Sequence, residues 1–141
     1  MDGPIRALRV AYWVGAVVDA VAGVQMLSPR LTAFGMGLGD FRPGPDYVYA
    51  MGMGPALMFG WTALLLWADR APMERRDVLA LTVVPVIAGL ALNEVVAARS
   101  GFLSLPAVAP IWALQLMLAV LFLTAWRRAN RQAAAGARTA G

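Results

Sequence analysis

In this chain of 141 residues, 60% are hydrophobic and only 14% charged, against roughly 25% charged in an average soluble domain, so a single domain surrounded by lipid is expected. The formal charge of +4 rests on twelve arginines and no lysine; these flank the apolar segments instead of clustering with aromatics on a soluble face, which argues against nucleic acid as a partner and for membrane lipids. Cysteine and histidine are absent, which removes disulfides, thiol catalysis, Cys/His zinc sites, thiolate-held iron–sulfur clusters, histidine-ligated haem and histidine bases; no metal or cofactor is expected, and proton chemistry falls to Asp, Glu, Tyr or Arg.

Residues 2–9 read as a short basic lead-in with Arg6 and Arg9, and the first predicted helix follows at about 10–29. Between Arg9 and Arg30 lie twenty residues, apolar or small except for Gln25 near one end and Asp19 at the middle. Twenty helical residues span about 30 Å, the thickness of a bilayer's hydrocarbon core, so Asp19 is expected about 15 Å from either surface. An acid at that depth costs at least about 2.5 kcal/mol and is a functional residue by default. The basic start, the apolar run from Val10 to Val18 and the small Ala20-x-Ala22 pattern imitate a secretory signal peptide, but the segment is expected to be retained as a helix.

The connection 30–46 is rich in Gly and Pro. Its Gly35-x-Gly37-x-Gly39 spacing lacks the preceding strand and the following Gly-Lys-Ser/Thr of a phosphate loop, so it reads as a surface loop, with 31–38 lying in the interface as a short amphipathic turn or cap. A second helix is predicted at about 47–68, with Tyr47 and Tyr49 at one end and Trp67 at the other marking the two head-group levels. The charged loop 69–77 leads to a third helix at about 78–98, which carries Asn93 and Glu94 in its final third. A turn over 99–105 precedes the fourth helix at about 106–126. The transmembrane domain is thus expected over 1–128, and the Ala, Gly and Arg-rich tail 129–141 is expected to be disordered.

Nine arginines (6, 9, 70, 75, 76, 127, 128, 131 and 138) fall on one side of this arrangement and three (30, 42 and 99) on the other. By the positive-inside rule both termini face the cytoplasm. The expected fold is an all-α integral membrane protein of the inner or cytoplasmic membrane, with four transmembrane helices in an antiparallel bundle.

Ala11, Gly15, Asp19 and Gly23 recur every four residues and form a narrow stripe on the first helix, and Gly52, Ala56 and Gly60 form a matching one on the second. Small residues at this spacing allow close approach, so the two helices are expected to pack stripe to stripe and turn Asp19 inward; such faces would also serve a homodimer. Pro55 and Pro85, inside the second and third helices, each free a carbonyl four residues back, at Met51 and Leu81, and predict kinks that open space. Depth places Gln115 level with Asp19, Trp112 on the same face as Gln115, and Tyr49, Asn93 and Glu94 in the outward third. Together these predict a cavity open toward the outer leaflet, with Asp19 at its floor, Tyr49, Asn93, Glu94, Trp112 and Gln115 around it, and Met51 among its soft lining.

A neutral acid in that position donates a hydrogen bond to a hydroxyl, carbonyl or epoxide of a lipophilic ligand, or passes its proton on. The expected function is therefore binding of a lipophilic small molecule, with Asp19 as general acid and Glu94 orienting or accepting a proton wherever the molecule is converted. Isomerisation, hydration or cyclisation would need no metal. The run Tyr12-Trp13-Val14-Gly15-Ala16-Val17-Val18-Asp19 resembles the first helix of the small multidrug resistance family, which has four short helices and one essential membrane acid. That resemblance implies a proton-coupled exporter as the alternative. The long first loop, the second membrane acid and the nine-to-three arginine bias depart from the family, whose members tend toward weak bias and dual insertion, so its residue roles are not carried over. An accessory or assembly subunit, in which both acids only bond to a partner protein, is the third expectation.

Overall fold

A computed structural model describes residues 3–39 and 42–139, the last of these in its backbone alone, and every regular element in it is helical. The order is α1 (Gly3–Met26), α2 (Pro29–Gly35), α3 (Pro45–Asp69), α4 (Asp77–Arg99) and α5 (Leu105–Thr139). Four of these, all but α2, are long and apolar enough to cross a membrane. Two ends differ from expectation. The lead-in carrying Arg6 and Arg9 is already helical, and α5 does not stop at its double arginine but continues through the tail expected to be disordered. Arginine and alanine are both good helix formers, and Ala129 is fully buried with Asn130 bonded to Arg76, so this extension is held by tertiary contact.

Local chemistry sets the boundaries. Ser28 caps α2, its hydroxyl accepting from the Leu31 N–H at 3.4 Å, and Pro29 occupies the first turn where no N–H is needed. Beyond α2, Gly37 takes a left-handed φ of 72°, and Leu38 and Gly37 donate back to the carbonyls of Ala33 and Phe34. Gly101 ends α4 in the same way at φ 76°, with Phe102 and Gly101 donating to Ala97 and Ala98. Both are Schellman caps, which satisfy the last carbonyls of a helix. In the Gly-x-Gly-x-Gly run, Gly37 thus serves as a cap.

The two prolines act differently. α3 remains one helix through Pro55, which is buried. Around Pro85, α4 widens into a π-helical stretch over Thr82–Ile87, in which the Ala88 N–H reaches Val83 O, five residues back. Proline has no N–H to give the carbonyl four residues back, and a wider turn absorbs the defect inside a continuous helix.

α1 is the central element, packed along α3 and also against α5. A Cβ on Gly15 would stand 2.7 Å from Phe122 Cζ and 3.0 Å from Leu65 Cδ1, and one on Gly23 3.0 Å from Phe59 Cε1 and 3.2 Å from Met58 Cβ. The α1 stripe therefore receives large side chains. The expected matching stripe on α3 is not used: Gly52, Ala56 and Gly60 are exposed, and a Cβ on either glycine would meet nothing within 4 Å. The inward face of α3 runs instead through Pro55, Leu65 and Ala68, because bulky groups fill the hollows left by the α1 glycines better than a second row of glycines would.

One end of the bundle is tied by polar contacts. Tyr12 is fully buried and its hydroxyl donates to Arg75 O at 2.9 Å, while Trp13 Nε1 donates to Asp69 Oδ2 at 3.2 Å. Arg76 Nε donates to Asn130 Oδ1 at 2.5 Å, Trp126 Nε1 to Asp77 Oδ1 at 2.8 Å, and the Arg75 guanidinium lies 3.6 Å over the Trp67 ring. These contacts bring the start of α1, the 70–76 loop and the α5 extension to one level.

Candidate functional site

The inner face of α4 positions the acid that sequence depth places in the outward third. Five-residue hydrogen bonding in the π stretch carries the inner face from Thr82 to Ile87, and Glu94, two regular turns later, stays on it. From α1, the four-residue stripe that buries Gly15 brings Asp19 to the same interior. α5 contributes Gln115, which is 9% exposed, on the face that also buries Leu118 and Phe122. A cavity of about 170 Å³ lies between them, lined by Asp19, Met58, Thr82, Glu94, Gln115 and Phe122 among others.

Gln115 Nε2 donates to Glu94 Oε1 at 2.8 Å and joins α5 to α4. The partner atoms of that bond are left over: Glu94 Oε2 and Gln115 Oε1 are buried without a hydrogen-bond partner, as is Asp19 Oδ2. The Trp112 indole N–H donates to the Glu94 carboxylate. Thr82, although buried beside the cavity, is satisfied, accepting from Trp61 Nε1 at 3.1 Å and donating to Val78 O at 2.8 Å. Its role is to hold α3 to α4.

Of the expected ring, Asp19, Glu94 and Gln115 line the cavity and Trp112 stands behind Gln115, whereas Tyr49, Asn93 and Met51 do not reach it. Asn93 is exposed because it neighbours Glu94 in sequence, and adjacent helical residues diverge by about 100°. Tyr49 is 77% exposed, for it lies six residues, about a third of a turn in phase, from Pro55 on the inward face of α3. Met51 is half-buried outside the cavity, and Met58 takes the lining place. Phe122 and Ile87 were not among the expected residues. Their signal was weak, since aromatic and branched residues occur all along these helices and only the phase set by the glycines of α1 and the π stretch selects them.

The site holds more acceptors than donors and no arginine. Among the described residues no three carboxylates gather into a metal-binding group. Two carboxylates stand in unlike settings, Glu94 tied to an amide and Asp19 without a partner on Oδ2, an arrangement able to separate the roles of proton donor and proton acceptor. No family model, curated protein or solved structure matches this chain.

Proposed function

We propose that the chain is an integral protein of the inner or cytoplasmic membrane, an antiparallel bundle with both termini cytoplasmic, and that the cavity between Asp19, Glu94 and Gln115 binds a lipophilic small molecule. Membrane residence is supported by the outer surface, where Val84, Leu116 and Leu92 are 69%, 67% and 65% exposed in a belt that water would not tolerate. Orientation is supported by the arginine bias and by the contacts that gather Arg9, Arg75, Arg76 and the α5 extension at one end.

The observation that carries the ligand reading is the set of buried oxygens without partners, Asp19 Oδ2, Glu94 Oε2 and Gln115 Oε1, around one cavity. Buried polar atoms are nearly always bonded, and each exception in an apolar interior costs about 1–3 kcal/mol unless something else meets it. A bound molecule whose polar head accepts from a protonated Asp19 and donates to Glu94 or Gln115 relieves that cost. Where that molecule is converted, Asp19 gives the proton and Glu94, held in orientation by Gln115, accepts one. Native mass spectrometry of the wild type, Asp19→Asn and Glu94→Gln tests this. The reading expects a co-purified small hydrophobic molecule in the wild type that both variants lose; equal ligand content in all three would overturn it.

The open Gly52, Ala56 and Gly60 face of α3 favours a second reading, that of an accessory subunit or homodimer in which this face meets another helix. Under that reading Asp19→Asn leaves the bound molecules unchanged, and Gly60→Leu changes the assembly state.

A further inference from the structure

A hollow of about 320 Å³ lies between the start of α1 and the later part of α5, and it shares no lining residue with the central cavity. One face of each helix builds it. Arg6 and Val10 are one turn apart on α1, and Leu121, Ala125 and Arg128 follow one another at i, i+4 and i+7 on α5. Arg128 keeps that phase because α5 runs on as a helix past its double arginine. Ala125 is buried between the walls, while Val10, Thr124 and both arginines are exposed, so in a bilayer the hollow opens sideways to lipid.

Both arginines stand at the same end of the hollow, because the contacts of Tyr12, Arg76 and Trp126 bring the start of α1 and the α5 extension to one level. Along the helix axes Val10 lies about 6 Å from Arg6, and Leu121 about 10 Å from Arg128, so the walls turn apolar with depth. Among the described residues neither Arg6 nor Arg128 makes an ion pair, whereas at the same end Arg9 meets Asp69 and Arg76 meets Asn130. No carboxylate lines the hollow. Two guanidiniums without an acid call for an anion with several acceptor oxygens, and a phosphate offers bidentate partners to each. A zwitterionic head would set its ammonium beside two cations with no acid to meet it. We propose that the hollow is a site for one anionic phospholipid, its phosphate between Arg6 and Arg128 and its acyl chain along Val10 and Leu121. Basic pockets between transmembrane helices at a head-group level hold lipids of this charge. The proposal rests on the reading of the chain as membrane-spanning and is independent of the central cavity.

The test is native mass spectrometry of the full chain released from nanodiscs of equal parts phosphatidylglycerol and phosphatidylcholine, with the retained phospholipid identified by mass. The wild type is expected to keep one phosphatidylglycerol in preference to phosphatidylcholine. Arg6→Gln and Arg128→Gln are each expected to lower that retention about fivefold, and Val10→Trp, which fills the hollow from its exposed rim, to abolish it. Arg127→Gln removes an equal charge from an exposed neighbour that does not line the hollow, and is expected to retain the lipid as the wild type does. An equal loss in Arg127→Gln would reduce the effect to diffuse surface charge and overturn the site. Loss of the phospholipid in Asp19→Asn would move it to the central cavity and also overturn the site. A chain that enters the nanodiscs but keeps both lipids alike would overturn the hollow and leave the membrane reading standing; a chain that does not enter them would overturn both.

Discussion

Gln115 Nε2 donates to Glu94 Oε1 at 2.8 Å, and each residue keeps its other oxygen buried and unbonded. One bond between two helices thus both fastens the bundle and holds two acceptors ready. Removing one partner alone strands a carboxylate or an amide in an apolar interior, while replacing both with hydrocarbon strands neither.

Gln115→Leu is therefore expected to destabilise the protein by about 1–3 kcal/mol, whereas the Glu94→Leu/Gln115→Leu double variant returns to within about 1 kcal/mol of the parent. Thermal unfolding in detergent of the two single variants and the double variant measures this coupling. Additive losses would mean that the two side chains do not depend on each other.

Asp19 presents the opposite balance. Its Oδ2 is buried without a partner, so the residue is a burden on the empty fold. Asp19→Leu is expected to raise stability, by up to about 2.5 kcal/mol, while removing ligand binding. Thermal unfolding measured beside ligand content checks both halves, and a variant that unfolds earlier would show that Asp19 supports the fold instead.

The glycines of α1 and α3 should respond unequally. Gly15 sits where a Cβ would press on Phe122 and Leu65, both of them buried. Gly15→Leu is expected to cost about 1–3 kcal/mol by overpacking. Gly60→Leu, whose added side chain meets nothing, is expected to stay within about 0.5 kcal/mol of the parent in monomeric protein. Equal thermal shifts in the two variants would contradict the packing described.

Much of the fold is legible in the sequence because hydropathy is a property of segments: the four long apolar helices stand out from length and composition. Facing is harder, because it depends on phase. Glycines every four residues mark the packed stripe of α1 correctly, but the same spacing on α3 marks a face left open, since a stripe states that close approach is allowed and not where a neighbour lies. Depth counting sets Gln115 level with Asp19, and both line the cavity. It cannot separate Asn93 from Glu94, one residue apart and on different faces. Pro85 signals a disturbed helix, yet whether the chain kinks or widens into a π stretch depends on what packs around it. The helical extension of α5 is invisible for the same reason, being secured by Arg76 and the 70–76 loop, far from it in sequence.

The central claim, that the buried unpartnered oxygens of Asp19, Glu94 and Gln115 around one cavity form a ligand site, is tested most directly by native mass spectrometry of the wild type beside Asp19→Asn and Glu94→Gln, each released from nanodiscs. The predicted result is a small hydrophobic molecule bound one to one in the wild type and lost from both variants. Equal ligand content in all three proteins, with folding unchanged, would contradict it.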